Sequence, residues 1–171
     1  MKTFVKRIEF AANLSIIIVA ILLGVVLVRN YLFRSPAQTQ TPAIAGIEAG
    51  TKLPLSGVDW NASKQTLVMA LSTKCHFCTE SASFYQRLAQ ERARNLNLRL
   101  IAVFPQTSQE SVEYLKGLAV NVDDVRQSEF ASLGVSGTPT LILLNNQGVV
   151  EDSWRGKLNG DREGEILRRL Q

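Results

Sequence analysis

The sequence predicts an α/β fold, a mixed central β-sheet flanked by helices, preceded by one N-terminal transmembrane helix. Three observations lead there. Short apolar runs alternate with stretches of helical periodicity, and the last two runs are joined by a tight turn containing Gly148. Ahead of them, an apolar segment broken only by Asn13 and Ser15 runs from Ala11 to Val28, and Tyr31-Leu32-Phe33 extends it past Arg29.

That segment is long enough to cross a bilayer as a helix. A cleaved signal usually has a shorter apolar core closely followed by a small-x-small site, and Ala43-Ile44-Ala45 lies far downstream. Residues 11–33 are therefore expected to be an uncleaved signal anchor. Lys2, Lys6 and Arg7 precede the segment and Arg29 and Arg34 follow it, which keeps the tail 1–10 in the cytoplasm and the rest of the chain outside. Residues 34–50, with Pro36, Pro42, Gly46 and Gly50 and no sustained apolar period, read as a flexible linker. The chain carries 19 basic and 15 acidic residues, a net charge of +4. Five of the basic residues and one acid, Glu9, belong to the first 34 positions, so the remainder balances at 14 against 14. The basic bias belongs to the flanks of the anchor, and no nucleic-acid partner is implied.

Residues 51–171 have the size of one domain with one core. Thr66 to Ser72 is a short buried-strand run, and Cys78, Ala82, Tyr85, Leu88, Ala89 and Arg92 follow at helical spacing, so Cys75 opens a helix that covers the sheet. Leu96 to Phe104 is the next strand and Pro105 ends it. Thr107-Ser108-Gln109-Glu110 has the form of a capping box before the helical pattern Val112, Leu115, Leu118. A short helix is expected around Gln127 to Leu133. Thr140 to Leu144 is a further strand, turned by Asn145-Asn146-Gln147-Gly148 into Val149 to Trp154 as a hairpin, and Asp161 to Leu170 forms a closing amphipathic helix. The order β-α-β-α-(α)-β-β-α implies parallel pairing early, antiparallel pairing late and helices on both faces. Trp60 and Trp154 read as core or edge aromatics.

Cys75-His76-Phe77-Cys78 contains both cysteines of the chain. A structural zinc site needs about four ligands, and this chain offers only these two and its single histidine, His76, between them, so no metal site is expected. A purely structural disulfide is a poor fit, because closing so short a loop removes little entropy from the unfolded chain. Paired thiols between a strand and a helix suit thiol–disulfide exchange instead. The helix start favours a thiolate at Cys75, the nucleophile, and Cys78 resolves the mixed disulfide.

The sequence resembles the thioredoxin superfamily. The marks are Cys75-His76-Phe77-Cys78 after a strand, Gly137-Thr138-Pro139-Thr140 before a later strand, and the late hairpin with Gly148. It is most similar to the membrane-tethered extracytoplasmic branch of TlpA and ResA, through the anchor, the linker, Gly50-Thr51-Lys52-Leu53-Pro54 and Val122-Asp123-Asp124-Val125. The resemblance covers about Gly50 to Gln171. It implies a thioredoxin-like fold, a redox-active disulfide Cys75-Cys78 with no other cofactor, and Pro139 as a cis-proline facing the cysteines, with Thr138 offering its backbone to an extended substrate segment. The resemblance also implies a reductant, with extracytoplasmic protein thiols or disulfides as partners and a transmembrane thiol donor or acceptor. The chain departs from the family pattern in having Lys74 where an aromatic often precedes the first cysteine, and Met69 where many thioredoxins carry a buried acid.

His76 and Glu80 stand four apart on one helix face and can pair, which keeps positive charge near Cys75; with Lys74 they are candidates for tuning the thiolate. The alternative is that His76 is an ordinary exposed residue of a helix start. Phe77 is either an apolar contact for substrate or packing beside the disulfide. Two other functions share the motif: a Cu(I)-binding chaperone, since soft sulfur ligands suit that ion, and a peroxidase on a thioredoxin-like fold.

Overall fold

A computed structural model of the chain describes residues 47–171. The expected tail 1–10, the anchor 11–33 and all of the linker but its last four residues lie outside them. Among the described residues no helix is long and apolar enough to cross a membrane.

Five strands form one sheet. They are β1 (Gln65–Ala70), β2 (Leu98–Phe104), β3 (Asp124–Gln127), β4 (Thr140–Asn145) and β5 (Val150–Arg155), in the order β3-β2-β1-β4-β5. The pairs β1–β2 and β2–β3 are parallel, and β1–β4 and β4–β5 are antiparallel. The α-helices are α1 (His76–Glu80), α2 (Ala82–Arg94), α3 (Ser108–Gly117) and α4 (Gly160–Arg169). The mixed sheet expected from the element order is thus present.

Period-two alternation in β1 divides the core. Leu67, Met69 and Leu71 point to one layer, where Phe84, Tyr85 and Leu88 of α2, Leu115 of α3 and Ile166 of α4 cover them. Val68 and Ala70 point to the other, closed by Leu53, Leu55, Trp60, Leu133 and Val135. All four α-helices bury side chains in the first layer. The expected helices on both faces are corrected accordingly: the second face is closed by extended chain and two 3-10 turns, Trp60–Ala62 and Phe130–Leu133. The segment there is too short for an α-helix, and Gly134, at φ +71, stops it in the left-handed region.

Other boundaries also differ from expectation. The helix expected to run unbroken from Cys75 is interrupted at Ser81, whose hydroxyl donates to the Phe77 carbonyl at 2.8 Å, a back-bond that bends helices. The second strand begins at Leu98 rather than Leu96, because Asn95 Oδ1 accepts from Asn97 N–H at 3.0 Å in a side-chain-closed turn that leaves Leu96 82% exposed. The strand β3 was not foreseen. Its Asp-Val-Arg-Gln carries no apolar run, and it is an edge strand whose lead-in residue Asp123 accepts the Leu100 N–H at 2.8 Å. Trp60 and Trp154 are both buried. Residues 47–50, read as the end of the linker, hydrogen-bond to β5 through Gly50 N–H to the Val150 carbonyl at 2.8 Å and Ser153 Oγ to the Ile47 carbonyl at 3.1 Å.

Candidate active site

The end of β1 delivers the chain into Ser72-Thr73-Lys74, and this loop is held from the β2–α3 connection. Gln106 donates to Ser72 Oγ at 3.1 Å, and the Glu110 carboxylate accepts from the Thr73 hydroxyl at 2.8 Å. The capping box is therefore half formed: Thr107 Oγ1 accepts Glu110 N–H at 3.3 Å, while the Glu110 side chain turns to Thr73. Lys74 is exposed.

Cys75 caps α1. Its sulfur accepts the Cys78 N–H at 3.2 Å, and its thiol donates to the Thr138 carbonyl at 3.4 Å. Cys75 is half-buried and Cys78 fully buried, and both are free thiols. Burial, reinforced by the hydrogen bond to Cys75, pushes the Cys78 thiol up to about 12. The two sulfurs thus differ: Cys75 is half-buried, and the buried Cys78 thiol keeps its proton at neutral pH.

The Thr138–Pro139 peptide bond is cis. Thr138 is half-buried, and Thr140 Oγ1 donates to the Gly137 carbonyl at 2.7 Å, tying this loop to the start of β4. Beside the cysteines Phe77 is 54% exposed, large for an apolar side chain, and packs at 5.9 Å from the His76 ring. His76 Nε2 lies 3.0 Å from Glu80 Oε1, with the imidazole 80% exposed. Glu80 is shared: Lys157, from the β5–α4 connection, donates to its other oxygen at 2.9 Å. That bond first, then the charges of Lys157 and His76, holds the Glu80 carboxyl below its usual range. Met69 is fully buried in the same layer as Cys78.

Cys75, Cys78, Thr138 and Pro139 are thus brought together across 63 positions of sequence, with Phe77, His76 and Glu80 on the rim. Sequence reasoning missed Lys157 and Gln106, which reach the site by the folding of distant positions that no motif marks. It placed Tyr85 on the sheet-covering face with Cys78, where it is buried, but gave it no part in the site.

No family model matches the sequence, and no curated protein matches it. Solved structures do match its fold. They include a candidate thiol:disulfide interchange protein DsbE from Chlorobium tepidum, 18% identical with a TM-score of 0.58, covering 74% of this chain and 100% of that one. StoA from Bacillus subtilis is 16% identical with a TM-score of 0.54, over 76% of this chain and 100% of that one. A thiol-disulfide oxidoreductase from Bacteroides fragilis is 20% identical with a TM-score of 0.55, over 72% and 100%. The fold of this chain is thioredoxin-like.

Proposed function

We propose that the protein is a thiol–disulfide oxidoreductase that exchanges disulfides with protein partners through Cys75 and Cys78. One observation carries the reading: an accessible Cys75 sulfur that already accepts a backbone hydrogen bond, with a second thiol buried one turn on. Likeness in fold to proteins described as thiol-disulfide oxidoreductases supports it.

The reaction runs in two displacements. The Cys75 thiolate attacks one sulfur of a partner disulfide; a Cys75–partner bond forms, the partner's own bond breaks, and its other sulfur leaves as a thiolate that takes a proton. Cys78 then gives up its proton and attacks Cys75 Sγ, closing the Cys75-Cys78 disulfide and releasing the second partner sulfur, which is protonated in turn. Two electrons and two protons pass to the partner. In this reading the disulfide is the only cofactor, and Thr138-Pro139 docks an extended segment while Phe77 supplies an apolar contact. His76, Glu80 and Lys74 adjust the charge around Cys75.

Residues 11–33 tether the domain outside a membrane, with 1–10 in the cytoplasm and a linker from 34 that ends before residue 47, where the chain bonds to β5. The partners are extracytoplasmic protein disulfides, and a transmembrane thiol donor returns Cys75-Cys78 to the dithiol. The work is reductive. Equilibrating the full chain with thiol buffers is expected to give a midpoint of about −300 mV, and a value above about −200 mV overturns the reducing direction. Cys75→Ser is expected to lose exchange altogether while Cys78→Ser accumulates the mixed disulfide. A tight one-to-one Cu(I) complex without exchange discards the reading.

A further inference from the structure

Cys78, Ser81 and Tyr85 are spaced three and four apart. The backbone bonds Ser81 N–H to Phe77 carbonyl and Tyr85 N–H to Ser81 carbonyl, both 3.2 Å, carry the helical spacing through the break at Ser81. All three therefore share one face, and all three are buried, at 0%, 5% and 1% exposure. Among the described residues, the Tyr85 hydroxyl is the buried side-chain polar atom without a hydrogen-bond partner. The neighbouring Tyr114 hydroxyl, by contrast, is paired with Thr79 Oγ1 at 3.0 Å. Ser81 donates its own proton to the Phe77 carbonyl at 2.8 Å, and its oxygen, although near enough to act on the phenol, makes no hydrogen bond with the Tyr85 hydroxyl. A buried O–H without an acceptor is costly and calls for an explanation.

The layer around it supplies one. Tyr85, Cys78 and Met69 pack in the same core layer, and Met69 brings no polar atom to the resolving thiol. A protonated thiol is a weak acceptor, whereas a thiolate is a strong one. We propose that Tyr85 is the hydrogen-bond donor to the Cys78 sulfur when that sulfur ionises in the resolving step. The proposal rests on the exchange reading above. Burial and the neighbouring Cys78 push the Tyr85 phenol upward, with Tyr114 and Cys75 acting the same way and the Ser81 hydroxyl opposing, so the phenol keeps its proton and acts as a donor. The Cys78 proton itself leaves to the departing partner thiolate. Tyr85 neither gains nor loses a proton overall.

The test uses the full chain, reduced, with a symmetrical aromatic disulfide that frees one coloured thiolate per displacement. The first release reports Cys75 attack and the second reports resolution by Cys78. Tyr85→Phe, which removes only the hydroxyl, is expected to leave the first release unchanged. It is expected to slow the second about tenfold near neutral pH and to move the second step's pH profile to higher pH, the size expected for a lost hydrogen bond to a charged group. Thermal stability of the variant is expected to be equal or higher, since the hydroxyl it removes is unpaired. A second release with unchanged rate and pH profile in Tyr85→Phe overturns the role of Tyr85 while leaving the exchange reading intact. A wild-type chain that gives no second release overturns both.

Discussion

The Cys75 thiol donates to the Thr138 carbonyl at 3.4 Å, across 63 positions of sequence. In the exchange proposed above, that carbonyl is the backbone acceptor an extended partner segment would use, so this bond gives way when the partner docks.

The pH dependence of resolution is set by Cys78. With that thiol pushed up to about 12 by burial and the bond to Cys75, its thiolate is scarce at neutral pH. The second displacement is expected to quicken about tenfold per pH unit over the neutral and mildly alkaline range. The same shift acts on stability. A thiol whose folded value lies above its ordinary 9.0 stabilises the reduced fold below 9.0, and that contribution is lost as pH rises towards about 12. Urea unfolding of the reduced chain over this range, compared with Cys78→Ala, reads the effect, and parallel curves for the two proteins would sink it.

Glu80 answers chiefly to Lys157. Because the Lys157 hydrogen bond is the leading cause that holds its carboxyl low, ahead of His76, Lys157→Ala is expected to raise the Glu80 titration midpoint more than His76→Ala does. A carboxyl-carbon NMR titration of the three proteins measures this. The reverse order would mean that His76 is the stronger partner.

Asp123 pins the edge of the sheet. Burial lifts its carboxyl, but the Arg92 guanidinium and the Leu100 N–H outweigh burial and hold it below the usual range. Its contribution is therefore present above its ordinary value of 3.8 and lost as pH falls through the lower folded value. Asp123→Asn is expected to cost about 1–2 kcal/mol at neutral pH, with the difference vanishing in strong acid. Denaturant unfolding at both pH values checks it.

Gly148 meets two constraints at once. Its φ of +76 favours glycine, and a Cβ there would stand 2.7 Å from Trp60 Nε1. Gly148→Ala is expected to destabilise the domain by about 2–4 kcal/mol and to perturb Trp60 fluorescence. Trp60→Leu costs packing of its own, so the check is a double-mutant cycle: Gly148→Ala is expected to cost less in the Trp60→Leu background, where only the backbone strain remains, than in the wild-type chain.

The strands β1, β2, β4 and β5 were legible in the sequence because apolar runs and a Gly-containing turn are local signals that burial on two faces requires. So were the Cys75-His76-Phe77-Cys78 spacing and the His76–Glu80 pair, which lies within one helical turn. The edge strand β3 was not, since its polar residues pair only because β2 is already there. Ser81 interrupted a helix that periodicity alone would continue, through a hydroxyl whose choice of acceptor depends on the turn before it. Lys157 at Glu80, Gln106 at Ser72 and the lack of a partner for the buried Tyr85 hydroxyl were decided by tertiary structure alone. Sequence by itself determined which residues can react, because reactivity begins with side-chain chemistry and short-range spacing. Only the fold decided which sulfur is buried, which carbonyl faces the other and which hydroxyl is left without a partner, because burial and contact across dozens of residues arise from packing.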